Sequence, residues 1–233
     1  MIGQVRREAI SFVIPTLWRP TTMLTLLHGL HQSVDVLEII VIDNAPSQRP
    51  KLPDWAKIRI VEQSSNSYVN PSWNLGVELA QSNRICLCND DILFADNLLP
   101  FMRQARTKGI VGLHPNSYST ALKDAADPQW SKEVHITRNW GSLLFFDRDR
   151  YVPIPETMKI WWGDAWLAQE MKPARSIKTA VSTPHSVSAG SDEFKEITNQ
   201  DTHLWRESYQ KPPLVSKRLG VALRVLLRKL KVS

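Results

Sequence analysis

Between residues 11 and 113 the sequence alternates short β-branched runs with segments whose apolar residues recur at helical spacing. That rhythm builds βαβ units around a parallel sheet. Ser11–Thr16 reads as the first strand. Arg19-Pro20-Thr21-Thr22 then opens a helix with Met23, Leu26, Leu27 and Leu30 on one face. Leu37–Asp43 and Ile58–Glu62 are further strands, separated by a proline-containing loop from Ala45 to Ala56. Asn70-Pro71-Ser72 has the form of an N-cap with proline at the first helical position, opening a helix through Leu75, Leu79 and Ala80. Arg84–Cys88 is the next strand, followed by a helix from Asp96 and a strand at Gly109–Leu113. Beyond Pro115 the rhythm breaks. Residues 116–139 are polar and irregular, Ser142–Asp147 reads as a strand, Asp164–Lys172 as a short helix, Thr179–Thr183 as a strand and Glu193–Tyr209 as a helix.

Three of the strands end in polar groups: Pro15-Thr16 after the first, Asp43-Asn44 after the second, and Asn89-Asp90-Asp91 after the run Arg84–Cys88. Ligands of open α/β sheets collect at the carboxyl ends of strands, so these groups are expected to face one cleft. Adjacent carboxylates there are costly unless something positive joins them. A divalent cation carrying a phosphorylated substrate answers that, because hard cations prefer carboxylate and phosphate oxygen. The alternative is a turn in which Asn89 and Asp90 satisfy local backbone amides and Asp96 caps the next helix. Neither GxGxxG nor GxxxxGK[ST] occurs, which argues against a Rossmann dinucleotide site or a P-loop and leaves phosphate charge to a metal or to basic side chains.

A second constellation is Lys159-Ile160-Trp161-Trp162-Gly163-Asp164-Ala165-Trp166-Leu167. An acid among Trp161, Trp162 and Trp166 sits in a partly dry pocket, which raises a carboxylate's pKa toward general-base values. The competing reading makes Asp164 a helix cap and the tryptophans core. The only cysteines, Cys86 and Cys88, lie at i and i+2 on one strand, facing the same way and poorly placed to bridge each other. Met1–Glu8 lacks the apolar core of a secretory leader, so a reduced, cytoplasmic setting is expected. Residues 212–233 hold Lys217, Arg218, Arg224, Arg228, Lys229 and Lys231 and no acid, which accounts for the whole formal charge of +6. In that tail Leu219, Leu223, Leu226, Leu227 and Leu230 share one helical face. Such a helix suits an anionic membrane surface, with nucleic acid the weaker alternative and docking on the chain's own body a third.

The order Val13-Ile14-Pro15-Thr16, Glu38–Asn44, Asn66, Asn74-Leu75-Gly76 and Asn89-Asp90-Asp91 resembles the nucleotide-sugar half of the GT-A-fold family 2 glycosyltransferases, over roughly residues 11–190. The resemblance implies an α/β, GT-A-like fold: a mostly parallel, Rossmann-like sheet flanked by helices, here with a C-terminal basic amphipathic helix. The glycosyltransferase domain would span 1–211, with a nucleotide-sugar half at about 11–113, an acceptor half at 114–211, and the tail at 212–233. It implies a nucleotide-sugar donor held by Pro15, Thr16, Asp43, Asn44, Asn74, Asn89 and Asp90, with Asp43 accepting from a uracil-type imide. It implies Mn²⁺ or Mg²⁺ at Asp91, which matches the last acid of the family's DXD motif, with His185 as a second ligand. It makes Asp164 the base that deprotonates the hydroxyl of a glycan or lipid-linked acceptor, with inversion. The sequence departs from the motif at Asn89, an amide that can bond a ribose hydroxyl but brings no charge. Two other function classes stay open: a sugar-phosphate nucleotidyltransferase, against which Pro15–Pro20 offers no glycine, and a non-catalytic carbohydrate- or nucleic-acid-binding module.

Overall fold

The computed structural model describes residues 9–211, apart from 106, 119–121, 123–125, 135, 137–138 and 184–190. His185 and the basic tail at 212–233, both singled out in the sequence, lie outside the described residues.

The first four strands, β1 (Ile10–Thr16), β2 (Val36–Asp43), β3 (Ile58–Glu62) and β4 (Arg84–Cys88), pair in parallel in the order β3-β2-β1-β4. Helix α1 (Met23–Gln32) connects β1 to β2, and α2 (Val69–Leu79) connects β3 to β4. The short β5 (Leu93–Phe94), α3 (Leu98–Gln104), β6 (Ile110–Leu113) and β7 (Gln129–Trp130) follow. After them come β8 (Leu143–Asp147), α4 (Gly163–Glu170), β9 (Ala174–Lys178), β10 (Val181–Ser182) and α5 (Lys195–Leu204). The eight-stranded sheet runs β3-β2-β1-β4-β8-β6-β9-β7, while β5 and β10 form a separate antiparallel pair.

Alternation along the strands sorts the core into two layers. Phe12, Ile14, Cys86 and Cys88 face α1 and α3, whose Met23, Leu26, Leu27, Leu30, Leu98 and Met102 are buried against them. Val13, Ile85 and Leu87 face the other way, toward Trp73 and Val77 of α2 and Leu167 of α4. Both thiols are buried and free. Helix α2 lies so near β1 that a Cβ at Gly76 would fall 2.1 Å from Cγ1 of Val13. A glycine is what that approach requires.

Several expected elements are revised. Strand β8 enters antiparallel between β4 and β6, so the second half of the sheet is mixed. Its register is pinned where Arg84, buried in the sheet, donates to Asp147 directly opposite at 2.8 Å. Asn70 is inside α2 rather than its cap. Its amide N–H donates to Lys159 O, and its side chain is drawn into a tertiary role described below. Helix α3 begins at Leu98, two residues later than an Asp96 start, with Asn97 in the cap position. The single strand expected at Thr179–Thr183 is β10, preceded by an additional strand, β9. The expected helix at Glu193–Tyr209 is broken into a 3₁₀ turn at Asp192–Phe194, α5, and a π turn at Trp205–Tyr209.

Candidate active site

Parallel pairing of β1 with β2 and β4 brings their carboxyl ends to one edge, where a cavity opens. Pro15, Thr16, Asn44, Asn89, Asp90 and Asp91 line it, together with Asp164 from the start of α4. Thr16 Oγ1 donates to Asp90 Oδ2 at 2.7 Å and accepts from the Trp18 amide at 2.8 Å, tying the end of β1 to the end of β4. Asp91 is buried beside Asp90. Burial and then the neighbouring Asp91 push the Asp90 carboxyl up to about 7, against the lowering pull of the Thr16 hydroxyl. Paired carboxylates are the kind of oxygen ligand that a hard cation takes. Asn89, at the first position of the acidic triplet, fixes the β4 terminus by donating its amide N–H to Ser142 O at 3.0 Å.

Asp43 and Asn74 are placed differently from the other expected donor contacts: neither lines the cavity. Asp43 is fully buried. Its Oδ1 accepts from Trp18 Nε1 at 2.8 Å and from the Ala45 amide at 3.0 Å, and its Oδ2 from Arg49 Nη1 at 3.2 Å. Trp18 reaches it from a left-handed backbone (φ 60°), a conformation costly for a bulky residue. Asn74 Oδ1 accepts from Tyr151 Oη at 2.7 Å and the Ile154 amide at 2.9 Å, while Nδ2 donates to Ile154 O at 2.8 Å. It staples α2 to the segment after β8. Asn44 lines the cavity and braces it, accepting from the Ser67 amide and hydroxyl at 2.9 and 2.8 Å and donating to Ser72 Oγ at 3.0 Å.

Asp164 sits in the first turn of α4, which follows a left-handed Trp162 (φ 66°). Its Oδ1 accepts from the Ala165 amide at 2.8 Å. Gly141 leaves room for it: a Cβ there would lie 2.5 Å from Asp164 Oδ2. Desolvation outweighs the backbone hydrogen bonds and raises the carboxyl to about 6. Trp161 and Trp162 line the same cavity, as expected of an aromatic surround. Trp166 does not; its Nε1 turns away to Pro153 O at 3.1 Å and its ring meets Tyr209 edge-on.

What orders this loop was not legible beforehand. Asp201 on α5 is buried and its carboxylate accepts three successive amides, Lys159, Ile160 and Trp161, at 2.9, 2.7 and 2.9 Å. Trp161 Nε1 donates to Thr198 Oγ1 at 2.7 Å and Trp162 Nε1 to Thr202 Oγ1 at 3.0 Å, so both indoles are held by the same helix. From α2, Asn70 Nδ2 donates to Met158 O and Trp161 O at 3.3 and 3.2 Å. Gly163 lets Asn70 approach, since a Cβ there would fall 2.1 Å from its Oδ1. One hint was in the sequence: Thr198, Asp201 and Thr202 share one face of a helix at i, i+3 and i+4.

Among the described residues no group of three or more His, Cys, Asp or Glu side chains gathers as a metal site. Asp90 and Asp91 supply two adjacent carboxylates, and His185 is outside the described residues.

The sequence model of glycosyl transferase family 2 matches residues 11–160. No curated protein sequence matches the chain. Among solved structures, S. aureus TarS 1–349 superposes with a TM-score of 0.53 at 11% identity, covering 86% of this chain and 72% of that one. TarS 1–349 in complex with UDP-GlcNAc gives 0.54 at 11% identity, over 87% and 68% of the two chains. The longer S. aureus TarS structure gives 0.53 at 12% identity, and this chain spans only 40% of it. At that identity the likeness establishes a shared fold, the mixed α/β GT-A architecture. The family match over 11–160 goes further, and by it this chain belongs to glycosyl transferase family 2.

Proposed function

We propose that the chain transfers a sugar from a nucleotide-diphosphate donor to an acceptor hydroxyl, with inversion and with the help of a divalent cation. The observation that carries this reading is one cavity shared by two kinds of acid. Asp90 and Asp91 come from the end of β4, and Asp164 comes from the first turn of α4, after the aromatic loop that follows β8 in the chain. The TarS structures solved with UDP and with UDP-GlcNAc, similar in fold, support a nucleotide sugar as donor.

In this arrangement Asp164 takes the proton of the acceptor hydroxyl. The acceptor oxygen then forms a bond to the anomeric carbon from the face opposite the leaving diphosphate. The anomeric C–O bond breaks, and its electron pair departs on the diphosphate. Asp164 suits the role: it opens to the cavity and its raised pKa makes it a better base than a solvated carboxylate. The backbone N–H of Ala165 holds one of its oxygens in place. Asp90 and Asp91 would hold Mn²⁺ or Mg²⁺, which when bound would neutralise charge on the departing diphosphate; His185, the further ligand expected from the sequence, lies outside the described residues. Thr16 holds Asp90 in place by donating its hydroxyl to Oδ2.

The test is hydrolysis and transfer with a panel of UDP-, GDP- and dTDP-sugars, with metal and with chelator. The expected result is turnover of one donor class, lost in chelator and in Asp91→Ala. Failure of every donor would refute the activity. Full turnover in chelator would remove the metal and leave the phosphate to basic side chains.

A further inference from the structure

A nucleoside diphosphate brings two to three negative charges into a cavity already lined by three carboxylates, Asp90, Asp91 and Asp164. Among the described residues lining that cavity, only Arg19 carries a positive charge. It lies just past Thr16, the last residue of β1, and it feels the Asp90 carboxylate electrostatically. Its guanidinium is nevertheless engaged elsewhere. Nη1 and Nη2 donate to Glu193 Oε2 and Oε1 at 2.8 and 3.1 Å, a two-pronged pair, and the group lies over the Phe194 ring with its carbon 5.8 Å from the centroid.

Glu193 is half-exposed and Arg19 only partly covered, so the pair stands at the mouth rather than in the core. An ion pair at that exposure contributes little to stability, and a guanidinium fork donates to phosphate oxygens in the geometry it uses for a carboxylate. Phe194 and Tyr68, which meet edge-on at 6.5 Å, both line the cavity beside it. Thus the segment that carries the competing carboxylate also forms part of the cavity wall.

Resting on the proposed use of a nucleotide-diphosphate donor, we infer that Arg19 is a diphosphate-binding residue and that Glu193 masks it by occupying its fork until the donor arrives. Donor binding then exchanges one anion for another on the same guanidinium. No second basic side chain is needed beside the proposed cation, and the freed Glu193 carboxylate passes to water.

The two partners should therefore respond in opposite directions, which a merely structural pair would not do. Full-length protein is titrated calorimetrically with UDP and with GDP in Mg²⁺ buffer. Arg19→Ala should weaken binding of the diphosphate that the wild type accepts by about tenfold or more, the loss expected for a charged hydrogen-bonding partner. Glu193→Gln should tighten it severalfold, since a neutral amide competes poorly for the guanidinium. Arg19→Lys, which keeps the charge but not the fork, should fall between. If both Arg19→Ala and Glu193→Gln weaken binding alike, or if Arg19→Ala leaves it unchanged, the assignment is overturned while the functional reading stands. Wild-type protein that binds neither nucleotide overturns both.

Discussion

At the scale of single residues the proposed mechanism turns on Asp164, because the burial that would suit it as a base also makes it a liability. Its carboxyl titrates at about 6, above the ordinary value of 3.8, chiefly through desolvation. A base must be ionised to act, so transfer should fall by about one decade per pH unit below roughly 6 and level off above it. A pH profile of kcat/KM for the acceptor reads this directly. Asp164→Asn keeps the shape but cannot take a proton, and transfer should drop by roughly 10²–10⁴ with donor affinity near normal. Stability moves the other way. A folded-state pKa above the unfolded one favours the neutral acid, so its contribution is full below about 3.8 and lost as pH rises through about 6. Asp164→Asn should therefore melt higher than wild type at pH 7–8 and converge with it near pH 4. A thermal melt series showing no difference at neutral pH would mean that the carboxylate is well solvated.

At the scale of elements, the aromatic loop is held from both sides, by Asp201 of α5 and Asn70 of α2. Asp201→Ala leaves three clustered amides without their acceptor, and the cost should be about 1–3 kcal/mol, read from denaturant unfolding. On the proposed mechanism turnover should fall more than donor affinity, since the loop leads into Asp164, the proposed base, while the proposed donor residues lie at the ends of β1 and β4. Asp201→Asn, which keeps an acceptor oxygen, should recover part of both. Little of this bracing was visible in the chain. Thr16, Asp90 and Asp91 were legible because a strand's end and a polar residue are both local signals. Asn70 read as an N-cap because the Asn-Pro pair is a local signal too, yet Tyr68 takes the cap position and Asn70 is spent on residues far along the chain. The antiparallel entry of β8 was illegible for a similar reason. Leu143–Asp147 buries both faces, and nothing in an apolar run states its direction. Arg84 and Asp147 pin the register only once the two strands are side by side.

At the scale of the whole molecule, the charge excess falls in the sequence beyond the described residues. The body from 11 to 211 is close to neutral, while the +6 belongs to residues 212–233. No helix among the described residues is long and apolar enough to cross a membrane. The leucine face and basic flank of the tail lead us to propose contact with an anionic lipid surface. Truncation after Lys211 should abolish flotation with acidic liposomes and spare donor hydrolysis. An intact protein that ignores liposomes but binds DNA with a steep salt dependence would assign the tail to nucleic acid instead.

The position of β8 also sets an order of events on the ribosome. β3, β2, β1 and β4 can assemble as soon as residue 88 has emerged, but one side of β4 then has no neighbour until 143–147 arrive. At ~5–20 residues per second that wait is several seconds. Throughout it an apolar strand edge is open to pairing with another nascent chain. Crowded polysomes making this protein should thus be most prone to aggregation while residues 89–142 are being added. Halting synthesis there in a cell-free system should yield far more insoluble product than halting it after residue 147.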